Sequence, residues 1–487
     1  MPQEAVVRIV RALAERGLNA DREAVTLLAR EPDHEEAIDR VASSVDADTL
    51  VVSAADVESA LSNPTVSGGE TAPESREEPA PVPPETEGSP VLTVEHDMTG
   101  ESTGTGTYED FVAVFRDRLD RLGNMLSGRV TDRPARDIAR LNGGEQVAMV
   151  GLVADVSSTV SGHWRIELED ATGTVEWLVL KDRDEAALVE SVLEDEALAL
   201  SGSLASDGEV AFVDDFHVPD IPRTNEPTTA DRPVSAALVS DLHYGSQEFL
   251  GEAWDRFTDW LASPDGQHVE YLLVAGDMVE GVGVYPNQDE ELSVVDIYDQ
   301  YAGVSERLKD VPGDIELVMI PGNHDAVRLA EPQPGFDDEL RDILSAHDAT
   351  VLSNPGTVTL DGVRVLMYHG VSLDEVIAEI PSASYDDPEG AMIELLKKRH
   401  LAPRFGGHVR VAPEEDDHLL IEEVPDVFHA GHVHKLGVGS YRGVLAVNSG
   451  CWQAQTAFQR SVNIDPDAGF APILDLESLE VTIQKFT

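Results

Sequence analysis

The apolar positions change period several times along the chain. From Pro2 to about Leu61 they recur at helical spacing: Val6, Ile9, Val10 and Leu13, then Val25, Leu27 and Leu28, then Ala37, Ile38 and Val41. This predicts a small helical domain of short helices over residues 1–62. Residues 63–107 carry few large apolar side chains, and the stretch "APESREEPAPVPPETEGSP" cannot build a core. A disordered, acidic, Pro-rich linker is expected there. A helical connector follows over 108–140, with Phe111, Val114, Phe115, Leu119, Leu122 and Met125 on one face.

Between 141 and 222 the period shortens to that of strands. "VAMVGLVADV", "HWRIELED", "GTVEWLVL", "ALALSGSLA" and "EVAFVDDFHV" alternate or run apolar, with turns between them. Five short strands, with a helical stretch at Glu185 to Val192 after the third, predict an OB-type barrel. Trp164, Trp177 and Arg165 offer few of the exposed aromatic and basic groups that single-strand binding needs. A structural role for the barrel is therefore expected. From 233 to 487 apolar strands alternate with helical stretches, the pattern of a layered α/β domain.

Composition adds a strong constraint. Lys and Arg number 34 against 93 Asp and Glu, a formal charge of −59. Such a charge repels itself and nucleic acid in dilute salt. Molar salt shortens the Debye length to ~3 Å and removes most of that repulsion. Acidity spread over every segment, with only six lysines, implies a salt-saturated cytoplasm and does not exclude a DNA substrate. The charged N-terminus and the lack of a long apolar run imply a cytoplasmic protein with no membrane association. The single cysteine, Cys451, excludes an internal disulfide and a thiolate cluster; it reads as a small buried residue near the site.

The α/β region carries the candidate chemistry. Its apolar strands lead straight into Asp241-Leu242-His243, Gly276-Asp277, Gly322-Asn323-His324-Asp325, Tyr368-His369-Gly370 and Gly431-His432-Val433-His434. Each piece alone is an ordinary turn or cap; five in order imply one site at the ends of a sheet. Hard carboxylate and amide oxygens mixed with imidazoles suit divalent first-row cations. Alternate residues of an extended D-x-H or H-x-H project to the same side and can chelate together. The neighbouring glycines permit sharp turns and keep side chains away from an approaching phosphate.

This ordered set resembles the calcineurin-like metallophosphoesterases, whose pattern is D-x-H, G-D, G-N-H-[DE], H and G-H-x-H. The resemblance implies a β-sandwich flanked by helices and two divalent metal ions, Mn²⁺ foremost, with Fe²⁺, Zn²⁺ or Mg²⁺ as alternatives. Asp241, His243 and His434 would hold one ion, and Asn323, His369 and His432 the other, with Asp277 bridging. His324 would protonate the leaving oxygen or neutralise transition-state charge, and Asp325 would orient it. His429 is a candidate neighbour of the ligands. His34, His96, His163, His217, His268, His347 and His418 fall outside the pattern.

An OB-type barrel directly before such a domain, together with "VSDLHYGS", "IPGNHDAVR", "KKRHLAP", "FHAGHVHKLG" and "NSGCWQAQTAFQ", is similar to the small subunits of archaeal family-D DNA polymerases. That resemblance implies 3′-to-5′ exonuclease activity, a large catalytic polymerase subunit as partner, and single-stranded or primer-template DNA as substrate. A structural subunit with a vestigial site and a free-standing phosphoesterase are the alternatives. The densest basic run, "LLKKRHLAPRFGGHVRV", supplies Lys397, Lys398, Arg399, Arg404 and Arg410 as candidate DNA-binding residues. The same Lys-Lys-Arg could instead complement a helix C-terminus.

Overall fold

The computed structural model describes residues 90–487 except 103, 285–287, 345–347, 408 and 462. Before residue 90 it describes 19, 20, 28, 37, 40, 41, 51, 52 and 57. In the N-terminal unit, Met1–Thr86, two strands that the sequence did not predict, Asn19–Ala20 and Val51–Val52, pair in parallel. Leu28, Ala37, Val41 and Val57 there are helical and buried. The rest of the helical domain expected over 1–62, and linker residues 63–89, lie outside the described residues.

The second unit, Glu87–Thr487, holds two six-stranded sheets and a closed barrel. One sheet runs Thr350–Val351, Glu316–Ile320, Val269–Ala275, Ser235–Val239, Phe470–Asp475 and Val481–Lys485. Its first four strands are parallel. The other runs Leu436–Tyr441, Val444–Ser449, Val427–Ala430, Val363–Met367, Gly356–Leu360 and Leu92–His96. Leu238, Tyr271, Leu273, Val318 and Ile320 of the first sheet pack against Val358, Val365, Met367, Val427 and Val447 of the second.

The alternate residues of each strand face helices. Val239, Leu272, Val274 and Met319 meet Trp254 and Phe257 of helix Gly251–Leu261 and Tyr301 and Leu308 of helix Ile297–Leu308. Leu366, Phe428, Ala430 and Ala446 meet Leu373, Val376, Met392, Leu395 and Leu396 of helices Leu373–Glu379 and Pro388–Lys398. Strands covered on both faces read as continuous apolar runs, which is why "YLLVA" and "ELVMI" show no alternation. The result is helices, sheet, sheet and helices in four layers.

The segment 90–107 corrects the expected linker boundary. Leu92–His96 pairs antiparallel with Gly356–Leu360 and forms a sheet edge. Beyond it, Asp97 accepts from Ser353 N and Arg328 donates to Ser102, clasping the segment to the loop that follows Asp325. Alternating Leu92 and Val94 were too short a signal beside so much Pro and Glu.

The barrel strands are Gln146–Ser158, Trp164–Asp170, Gly173–Val179, Ala197–Leu204 and Val210–His217. The third pairs with the fifth, the fifth with the fourth, and the fourth with the first, closing the ring. Helix Glu185–Val189 sits between the third and fourth, as the pattern predicted. Trp177 lies in the barrel core with Met149, Ile166, Leu168 and Leu200, so it offers no surface for bases.

Helix Tyr108–Leu126 opens with a capping box between Thr107 and Asp110. It buries Val114, Arg118, Leu122 and Leu126, each four residues after the last. Leu122 and Leu126 pack on barrel residues Leu152, Ala197 and Ala199. Arg118 is wholly buried, donating to Asp417 at 2.8 Å and to the Pro403 carbonyl at 2.6 Å. A second buried ion pair joins Lys398 to Glu196 of the barrel at 2.6 Å. Two charges withdrawn from water together are costly to separate.

This pairing yields a stability prediction. Lys398→Met leaves Glu196 buried without its cation and should cost about 3–5 kcal/mol. Urea unfolding in molar salt should show a lowered midpoint, and adding Glu196→Met should recover most of it. An unchanged midpoint in the single variant would contradict this role.

Candidate metal centre

The seven predicted ligands all emerge just past the carboxyl ends of strands, at one end of the two facing sheets. Asp241 and His243 follow Ser235–Val239, Asp277 follows Val269–Ala275, and Asn323 follows Glu316–Ile320. His369 follows Val363–Met367, and His432 and His434 follow Val427–Ala430. Asp241, His243, Asp277, His432 and His434 have φ of 53°, 52°, 51°, 70° and 56°. Left-handed backbone costs a non-glycine residue roughly 1–2 kcal/mol. Asp241 and His243 therefore converge by local twisting, not by the extended alternation the spacing suggested.

Backbone hydrogen bonds hold these conformations. Asp241 N donates to the Gly276 carbonyl and His243 N to the Asp277 carbonyl, both at 3.0 Å. Asp241 Oδ2 accepts from His432 N at 2.9 Å, which ties the two sheets together across the site. A Cβ at Gly431 would strike Asp241 Oδ2, and one at Gly322 would strike Asp277 Oδ1. Close approach, more than turning, requires these glycines.

One group of donors comprises Asp241, His243 and His434, with one ligand atom from each lying within 4.8 Å of the others. His243 Nε2 and His434 Nε2 are 3.0 Å apart, and Asp241 Oδ1 lies 3.4 Å from the latter. Asp241 Oδ1 is buried and accepts no hydrogen bond. A second group comprises Asp241, Asp277 and His369. His369 Nε2 is 3.2 Å from Asp277 Oδ2 and 3.0 Å from Asn323 Oδ1. His369 Nδ1 faces the Ala275 carbonyl at 2.9 Å. A carbonyl only accepts, so Nδ1 carries the proton and Nε2 is left to ligate.

His432 falls outside these tight groups. Its ring packs edge-on to His369, with centroids 5.2 Å apart, and its Nε2 meets Asp374 Oδ2 at 3.0 Å. Asp374 in turn accepts from the Tyr385 hydroxyl at 2.8 Å. His324 joins a third group with His243 and Asp277. Its Nδ1 lies 2.8 Å from the Glu280 carbonyl.

Asp325 does not take the role the resemblance implied. Its carboxylate accepts from Gly322 N at 2.8 Å and Tyr301 OH at 3.0 Å. It shapes the loop, while the Glu280 carbonyl orients the His324 ring. Burial and the nearby Asp277 charge push the Asp325 carboxyl up to about 7. Burial opposes ionisation of Asp277 too, but His369 and His324 hold it well below the usual carboxylate range. Burial lowers His369, yet Asp277 outweighs it and raises the imidazole to about 10. These carboxylates need positive charge beside them, and a divalent cation supplies it while displacing protons. The donor set fits one.

Three supporting residues escaped the sequence reading. Glu280 Oε2 lies 3.0 Å from His243 Nδ1 and accepts from Gln453 at 2.7 Å. Gln459 Nε2 lies 2.8 Å from His434 Nδ1. Both glutamines belong to "NSGCWQAQTAFQ", whose specificity was visible but whose purpose was not. His429 stands one step back, its Nε2 3.1 Å from Ser449 Oγ, which donates to Ser240 Oγ beside Asp241. Cys451 is buried, and desolvation raises its thiol far above the ordinary range.

The basic run lies away from the cleft, and the burial of Lys398 and Arg399 corrects their assignment as DNA contacts. Lys398 is paired with Glu196, and Arg399 caps its helix in left-handed conformation while donating to the Ile421 and Glu422 carbonyls. Arg404 pairs with Glu375, Glu379 and Glu194. Lys397 pairs with Glu394 at 2.6 Å, and Arg410 is exposed on the two-residue strand Arg410–Val411. None of the five lines the cleft over the centre, a space of about 1120 Å³.

Residues 236–436 match the family model that describes the B subunits of DNA polymerases alpha and epsilon. The DNA polymerase II small subunit of Halobacterium salinarum is 58% identical over the full length of both chains. That of Archaeoglobus fulgidus is 41% identical over 78% of this chain and 77% of its own, and that of Pyrococcus abyssi 40% over 77% and 62%. The chain belongs to the archaeal DNA polymerase II small subunits, the family-D type. The family-D resemblance of the sequence holds. No helix among the described residues is long and apolar enough to cross a membrane.

Metal content tests the centre directly. Asp277→Asn should lower bound Mn²⁺ at equilibrium dialysis, and Glu280→Gln should weaken affinity by about 10–100-fold through His243. His324→Ala should retain wild-type metal. Metal loss in that last variant would make His324 a ligand.

Proposed function

We propose that this small subunit hydrolyses phosphodiesters at the 3′ end of single-stranded DNA, removing nucleotides for a large catalytic polymerase subunit. The carrying observation is the convergence of two buried carboxylates with His243, His369 and His434 at the ends of strands from both sheets. In this reading the layered domain is of the calcineurin-like metallophosphoesterase type and the barrel of the OB type. Two divalent cations, Mn²⁺ foremost, would be held by Asp241, His243 and His434 and by Asn323, His369 and His432, with Asp277 between them. Bound there, they would supply Lewis-acid polarisation of the phosphate and activation of water.

The chain's own residues do the remainder. Asp277, fully ionised through its imidazole neighbours, keeps negative charge fixed at the centre and accepts from His324 N at 2.8 Å. That bond also sets where the His324 ring stands. With Nδ1–H directed to the Glu280 carbonyl, Nε2 is the atom available to give a proton to the departing 3′ oxygen. Glu280 thus serves twice, by its carbonyl to His324 and by its carboxylate to His243. Family membership and the buried ion pairs that fix barrel to layered domain support a subunit working within an assembly. The acidic surface supports operation in molar salt, in a cytoplasm.

The purified chain should degrade single-stranded DNA from the 3′ end in molar salt with Mn²⁺, alone or with the large subunit. Asp277→Asn should abolish cleavage. His324→Ala should lower turnover by about 10²–10⁴-fold, the worth of a positioned acid, at unchanged metal content. Full activity in both variants would falsify the assignment.

A further inference from the structure

The cleft over the metal centre poses an electrostatic problem. Its lining includes Glu280, Glu290, Glu291 and Asp374, and among the described lining residues there is no lysine or arginine. Single-strand binders ordinarily track the backbone with a positive groove and stack bases on aromatic rings. The first device is missing among the described residues of this cleft. Phosphate contacts are also the part of binding that salt weakens most.

The second device is present. Phe458 lines the same cleft and is 65% exposed, although it is a large apolar side chain. It sits on the short helix Ala457–Ser461, beside Gln459, whose amide reaches His434. The turn is braced from within. Thr456 and Gln459 exchange hydrogen bonds at 3.0 and 3.1 Å, and Gln455 donates to the Ile464 carbonyl at 2.7 Å. Ile464 N donates back to the Gln459 carbonyl at 2.9 Å. Ile464 and Tyr385 add further apolar surface to the lining. An aromatic ring is thus held out into the cleft by a segment anchored on a metal-ligand histidine.

We propose that Phe458 is a stacking platform for a nucleobase at the strand end, making the site selective for ends whose bases are unpaired. The inference rests on the nuclease reading above and adds the basis of substrate choice. Stacking is indifferent to base identity because every base has a π-face, and it survives salt that screens phosphate contacts. A paired terminal base is held by its partner strand and by the stack beneath it, and cannot swing onto the ring without leaving the duplex. A frayed end can.

The test uses the full chain in molar salt with Mn²⁺ and two oligonucleotides. One carries normal bases at its three terminal 3′ positions, and the other carries abasic residues there. Wild type should cleave the first with a KM about 5–100-fold lower, the range expected of one stacked base. Phe458→Ala should erase that preference, cleaving both as wild type cleaves the abasic strand, and Phe458→Trp should restore it. Because the side chain is exposed, metal content and unfolding midpoint should match wild type. A preference that persists in Phe458→Ala, or is absent from wild type, overturns the inference alone. Failure of wild type to cleave either strand overturns the nuclease reading and the inference with it.

Discussion

Burying Asp241 and Asp277 at the strand ends of two facing sheets is the constraint on which the rest of the site depends. A carboxylate taken out of water must find positive charge or donors, or else take up a proton. Asp241 finds His243, His434 and the backbone amide of His432, while Asp277 finds His369, His243 and the amide of His324. These partners come from strands of both sheets. The sandwich therefore cannot slide without separating the carboxylates from their compensation. Left-handed backbone at five of the predicted ligand positions is tolerated because this network of partners leaves no alternative geometry.

Around that centre lies a ring of residues that fix the imidazoles. The Ala275 carbonyl, Glu280 and Gln459 each meet the Nδ1 of a different histidine, and Asp374 meets His432 Nε2. These contacts fix the ring orientations, and the two acceptors, the Ala275 carbonyl and the Glu280 carboxylate, leave Nε2 of His369 and of His243 for a cation. Gln459 and the Gln453 that holds Glu280 both belong to the segment after Cys451, so a stretch with no metal-ligating residue types of its own is part of the centre. That segment also presents Phe458 to the cleft.

Positive charge is spent in an unexpected place. Most of the scarce cations considered as DNA contacts are ion-paired or buried, and two buried pairs, Arg118 with Asp417 and Lys398 with Glu196, pin the barrel and its connecting helix to the layered domain. In a chain of formal charge −59 the interior can keep its pairs at any salt, since buried pairs are screened little.

Much was legible in the sequence because it is written locally. Strand ends followed by Asp, His and Gly fall in order, so the layered domain and the polar groups gathered at its strand ends could be read from "SDLH", "AGD", "PGNHD", "YHG" and "AGHVH". The barrel was legible from five short strands and one helical stretch. What tertiary structure alone decided concerns contacts between distant segments. Only folding brings Glu280 to His243, Gln459 to His434 and Lys398 to Glu196, and periodicity carries no information about such partners. Lys398 and Arg399 were misread for that reason: a Lys-Lys-Arg ending a helix looks the same in sequence whether it faces phosphate or a buried glutamate. Likewise Asp325 adjoins His324 in sequence, yet the turn points its carboxylate back into its own loop. The strand Leu92–His96 was hidden because its partner, Gly356–Leu360, lies far along the chain. Sequence named the chemical groups, and packing chose what each one touches.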